Sequence, residues 1–189
     1  MMDIFDAIKT RRSIRRFSDK PVSQEDIETI LDLVRYSPSW ANMQCWRFIV
    51  VRDRQKIQKI SELSYVESFL KPMGYKANPA TKGIGEAPVV IISCADPSKS
   101  GTIWNQAYYM TDIGITSQTL MLAVRGLGLG TVFVGIFDED AIRSLLNIPS
   151  NIRVVGVFPI GYLHDEKKET KMPERKPLSE IVFHEKWQE

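Results

Sequence analysis

The chain has 189 residues, 43% hydrophobic and 25% charged, with 11 Gly and 10 Pro. That length suits one packed domain over residues 1–189, and the composition excludes collagen-like, low-complexity and disordered classes. A net charge of +2, from 25 basic and 23 acidic side chains, supplies no global field toward nucleic acid or an anionic membrane, so neither is expected as a partner.

Cys45 and Cys94 are the only cysteines. They are too few for a disulfide framework and lack metal-ligand spacing, which points to a reducing, cytoplasmic setting and to no metal. The start MMDIFDAIK carries Asp3 and Asp6 where a signal peptide needs basic residues and then an apolar run.

Residues Asp3 to Thr10 place Ile4, Phe5 and Ile8 on one helical face, running into the basic block Arg11-Arg12-Ser13-Ile14-Arg15-Arg16. Ser23, with Asp26 three residues on, caps a helix whose Ile27, Ile30, Leu31 and Val34 recur at helical spacing until Ser37-Pro38. A loop from Pro38 to Cys45 leads to a strand over Trp46–Val51, and Gln55 to Leu63 reads as helix. Ser64 to Gly85, with two Pro and three Gly, is expected to be an irregular excursion or lid. Ala87 to Cys94 has the β-branched pattern of a doubly buried strand. A long helix is expected from Ile103 to Arg125, closing on Gly126-Leu127-Gly128-Leu129-Gly130, with a strand from Thr131 to Phe137 after it. Asp138 caps a helix through Leu146, and Ile152 to Leu163 is the last core strand. A charged linker over His164–Lys176 precedes a tail with strand character at Glu180–Phe183.

If the first helix continues, Arg11 and Arg15 stand at i,i+4 and can converge with Arg12 on a phosphate, Ser13 adding a hydroxyl. The block reads equally as a solvated cationic face complementing a helix C-terminus. The glycine run is a helix stop and turn; a dinucleotide loop would follow a strand and open a helix, and here the order is inverted. Ser39, Asn42 and Gln44, flanked by Trp40 and Trp46, suit a planar heteroaromatic ligand or simply connect helix to strand. His164 and His184 stand in no triad or metal pattern, so no catalytic side chain is assigned.

In order and spacing these pieces resemble the FMN-dependent nitroreductase family. The matching motifs are Arg11 to Phe17, the run from Pro38 to Phe48, Gly126 to Gly130 with Val134-Gly135-Ile136-Phe137-Asp138, and Gly161-Tyr162 with Arg175-Lys176-Pro177-Leu178. The resemblance implies an α+β, three-layer fold with a mainly antiparallel central sheet, in an intertwined homodimer whose tail (about 164–189) embraces the partner. It implies noncovalent FMN, its phosphate and ribityl chain held by Arg11, Arg12, Ser13 and Arg15, with Arg175 returning to the phosphate. Pro38, Ser39, Asn42 and Gln44 would form the loop that meets the partner's flavin, and Val134, Gly135 and Ile136 would flank N5. NAD(P)H would reduce the flavin and leave before a nitroaromatic, quinone or related acceptor enters the same space. Hydride chemistry residing in the cofactor accords with the lack of an acid, base or nucleophile cluster. Reductive dehalogenation, flavin fragmentation and a flavin-binding module without turnover are the alternatives. Cys45 stands where proline is usual and Trp40 where small residues are common, and both bear on the pocket's shape.

Overall fold

In the run Val-Val-Ile-Ile-Ser-Cys-Ala every side chain is buried, because alternate residues face two different apolar layers. This strand, β2 (Val89–Ala95), lies inside a sheet built with β1 (Trp46–Val51), β5 (Gly130–Thr131) and β6 (Arg153–Gly161), in the order β1-β2-β6-β5 with every pairing antiparallel. The computed structural model describes residues 2–164 and 172–187.

On one face, Val89 and Ile91 meet α2 (Gln24–Val34) and α6 (Tyr109–Gly126) through Ile27, Ile30, Val34, Leu120 and Val124. Burying each such side chain contributes roughly 1.5–3 kcal/mol relative to exposure. On the other face, Val90, Ile92 and Cys94 meet α3 (Arg54–Leu63), α5 (Thr81–Glu86) and α7 (Glu139–Leu146) through Ile57, Ile60, Ile84 and Ile142. Helix, sheet and helix are thus stacked in three layers, as the resemblance implies. Ser23, Asp53 and Asp138 cap α2, α3 and α7 by accepting from the backbone N–H three residues on. The helix α1 (Ile4–Thr10) leaves Ile4, Phe5 and Ile8 more than half exposed. Among the described residues no helix is long and apolar enough to cross a membrane.

Four expectations need correction. The long helix starts at Tyr109, because Trp104 and Asn105 take left-handed φ of 52° and 62° and close a hairpin of β3 (Thr102–Ile103) and β4 (Gln106–Ala107). Asn favours that turn, and the apolar residues beside it disguised the break. The strand expected over Thr131–Phe137 shrinks to β5 plus one bridge, Val134 to Val157. The ring of Phe133 lies over Gly156 and meets Phe158 edge-on at 5.4 Å, which interrupts the alternation. Residues 64–85 are not one irregular excursion: α4 (Glu67–Leu70) and all but the last residue of α5 lie within them, and Leu70, Ala80 and Ile84 are buried. Glu180–Phe183 is not a strand: a 3-10 turn covers Leu178–Glu180, and the segment pairs with neither sheet. Part of the charged linker, residues 165–171, lies outside the described residues.

Candidate functional site

The basic block does not extend the first helix. α1 stops at Thr10, and the chain runs on extended, with Ser13 bridging Thr131 in parallel and the Ile14 N–H donating to the Thr131 carbonyl at 2.9 Å. The i,i+4 pairing of Arg11 with Arg15 is therefore lost, and sheet-edge geometry sets where the guanidinium groups lie. Arg11 and Arg12 line a cavity of about 490 Å³ with Thr10, Arg125, Thr131 and Met172. Among the described residues no carboxylate pairs with Arg11, Arg12 or Arg125. Arg12 donates to the carbonyls of Lys9 and Arg11 and contacts the Met172 sulfur, and Arg125 Nε donates to Thr10 Oγ1 at 3.1 Å. The buried Thr131 hydroxyl has no partner among the described residues. Converging cations beside an unsatisfied hydroxyl fit the phosphate and polyol end of FMN.

Ser13 and Arg15 adjoin this cavity in sequence without lining it, and Arg15 Nη1 lies 3.4 Å from the Ser13 carbonyl. Arg16 is committed elsewhere, its Nη2 lying 2.8 Å from Glu86 Oε1. Burial pushes the Glu86 carboxyl up, but hydrogen bonds from Arg16 and the Phe17 N–H outweigh it and hold it below its ordinary value. Arg175 donates to the carbonyls of Pro173 and Glu174 and is not brought to the cavity.

The block's position depends on Gly83 in α5. A Cβ there would lie 2.4 Å from the Arg15 carbonyl oxygen, which is fixed backbone. Gly83→Ala is expected to cost about 1–3 kcal/mol or more and to lower FMN affinity as the arginine strand shifts; a thermal melt and a flavin titration check this.

Pro38, Ser39, Asn42 and Gln44 form a second group, at the opposite end of α6. Ala41, Asn42 and Gln44 take φ of 43°, 55° and 51°, at roughly 1–3 kcal/mol each. Ser39 Oγ accepts from the Gln44 N–H at 2.9 Å, and Gln44 Nε2 lies 3.3 Å from Asn42 Oδ1. The Asp112 carboxylate holds the loop from beneath, accepting from the Trp40 N–H at 2.9 Å and from the Cys45 thiol at 3.4 Å. Burial first, and then this bond to Asp112, pushes the Cys45 thiol up to about 12; burial does the same to Cys94. Both therefore stay protonated near neutral pH, with no thiolate to act as nucleophile.

Val134, Gly135 and Ile136 form a third group. Val134 is pinned to Val157, Gly135 is exposed, and Asn78 Nδ2 reaches the Ser64 carbonyl at 2.7 Å and the Ile136 carbonyl at 3.4 Å. Asn78 thus ties the segment after α3 to the backbone expected beside flavin N5. Sequence reasoning missed Arg125, Thr131, Asp112 and Asn78. Only Arg125 carried a usable signal, as a lone cation in the last turn of an expected helix.

The model of the nitroreductase family matches residues 8–162. An Archaeoglobus fulgidus protein provisionally named NADH dehydrogenase/NAD(P)H nitroreductase is 36% identical, over 99% of this chain and 100% of that one. The FMN reductase (NAD(P)H) of Bacillus subtilis is 27% identical over 92% and 72%, and the iodotyrosine deiodinase of Nematostella vectensis 27% over 95% and 74%. A crystal structure of a nitroreductase family protein from Clostridium novyi NT superposes with a TM-score of 0.79 at 27% identity, covering 90% of each chain. By fold, by motif order and by these likenesses, the chain belongs to the nitroreductase family.

Proposed function

We propose that the protein is an NAD(P)H oxidoreductase that binds FMN noncovalently and reduces nitroaromatic, quinone or related acceptors. The observation that carries this reading is the cavity at Arg11, Arg12 and Arg125, where cations and the Thr131 hydroxyl have no carboxylate or hydrogen-bond partner, respectively, among the described residues. Bound FMN would supply the hydride chemistry at N5. Arg11, Arg12 and Arg125 would hold its phosphate and Thr131 its polyol, while the backbone of Gly135 and Ile136, braced by Asn78, would edge the ring. Ser13, Arg15 and Arg175 would complete the grip as the tail settles on the partner chain. Cys45 and Cys94, buried and protonated, offer no covalent attachment.

The loop bearing Ser39 and Asn42 would serve the partner's flavin. Asp112, which holds the loop, and Arg125, in the cavity, are thirteen residues apart on α6, about 20 Å at the usual rise of about 1.5 Å per residue. A ribityl phosphate spans about 9 Å from phosphorus to ring, with its bonds each projecting roughly 1.25 Å. That separation favours a flavin shared between two chains paired antiparallel about a two-fold axis, one supplying the phosphate anchor and the other the loop. The exposed row Ile4, Phe5 and Ile8 and the exposed tail residues Leu178, Ile181 and Trp187 supply apolar surface for that homodimer.

Reductant and acceptor would use one space above the ring in turn, so steady-state kinetics should be ping-pong. Parallel double-reciprocal lines with NADH or NADPH against a nitroarene or quinone are expected. Intersecting lines would overturn the shared-space reading, and the same assay with haloarenes tests dehalogenation.

A further inference from the structure

Asp112 is buried, with 3% of its surface exposed, in the first turn of α6, and nothing in the proposed chemistry uses it. A carboxylate only accepts, and this one is satisfied by donors from two separate segments: the Trp40 N–H and Cys45 thiol on one side, the Ser100 hydroxyl at 2.9 Å on the other. Two further contacts join the same segments. The Asp96 N–H donates to the Cys45 carbonyl at 2.9 Å, and the Trp40 ring packs 4.8 Å from that of Tyr108. Gly101 leaves room for the indole: a Cβ there would lie 2.4 Å from Trp40 Cε2. The hairpin that starts beside Ser100 carries Trp104, 86% exposed, on a left-handed turn.

We propose that Asp112 is a positioning residue for the flavin face, locking the Ser39–Gln44 loop and the Thr102–Ala107 hairpin into one unit that presents Asn42 and Trp104 to the partner chain at a fixed separation. This rests on the reading that the loop serves the partner's flavin. Trp40 and Cys45, the two departures from the family pattern, belong to the lock: the indole fills the notch at Gly101, and the thiol supplies a donor that proline could not.

Amide hydrogen exchange on the whole protein, with and without FMN, tests this in wild type, Asp112→Asn and Ser100→Ala, alongside acceptor kinetics. In Asp112→Asn, exchange over 40–45 and 100–107 should rise together by about tenfold while β2 and β6 stay unchanged. The acceptor KM should rise by about fivefold, with FMN affinity held within about threefold, because the phosphate anchor lies at the other end of α6. Ser100→Ala, which leaves two of the three donors, should loosen both segments by a smaller factor. Uniform acceleration across the sheet, acceleration in one segment alone, or an unchanged acceptor KM would overturn the proposal. If Asp112→Asn fails to fold, Ser100→Ala decides, and unaltered exchange there rejects it. Failure of the wild type to bind FMN would refute the flavin reading separately, since the coupling of the two segments is read without FMN.

Discussion

Arg11→Glu is expected to weaken FMN by about 10- to 100-fold while changing riboflavin binding little. Arg11 lines the cavity and its guanidinium has no acceptor among the described residues, so what it would lose on substitution is contact with the ligand. A charge-assisted hydrogen bond contributes roughly 1.5–3 kcal/mol, and reversing the charge beside a dianionic phosphate adds repulsion. Riboflavin lacks the phosphate and should be nearly blind to the change. Titrating each flavin by fluorescence quenching, wild type against variant, gives the comparison directly. Equal losses for the two flavins would move the phosphate away from Arg11. Arg175→Glu, run in parallel, reports whether the tail reaches the phosphate.

Mixing two inactive variants should restore activity if each site is built from two chains. Arg11→Glu lesions the anion end and Asn42→Glu the loop, and about 20 Å of α6 separates those ends within one chain. In a heterodimer one site collects both lesions and the other neither. Random reassembly makes about half the dimers mixed, each with one sound site of two, so recovery should approach about a quarter of wild-type turnover. Activity near zero, with mixed dimers confirmed by mass and each variant confirmed folded, would place the whole site in one chain.

The layers were legible because burial writes itself as periodicity. Ile27, Ile30 and Val34 mark α2 at helical spacing, and the unbroken apolar run of β2 needs cover on both faces. Caps were equally readable, since Ser23 and Asp138 act on backbone three residues away. Features that depend on distant partners were not. The hairpin at Trp104 and Asn105 hid inside an apolar stretch. The lost alternation at Phe133 follows from the open space at Gly156, a residue of another strand. At the site, Arg11 and Arg12 were found by charge density, but their geometry comes from the bridge between Ser13 and Thr131, which no local pattern announces. No local pattern singles out Asp112; only the fold brings Trp40, Cys45 and Ser100 to it.

On the shared-site reading, the separation of the two groups along α6 would also make the cofactor a participant in assembly. With its phosphate on one chain and its ring against a loop of the other, FMN would prefer paired chains to single ones, and by reciprocity paired chains would hold FMN more tightly. Flavin supply and chain concentration would then act on a single equilibrium. Dilution would shed cofactor, cofactor loss would free single chains, and those chains would uncover the apolar row of α1. Apparent affinity and apparent quaternary state, measured apart, would report the same free energy twice.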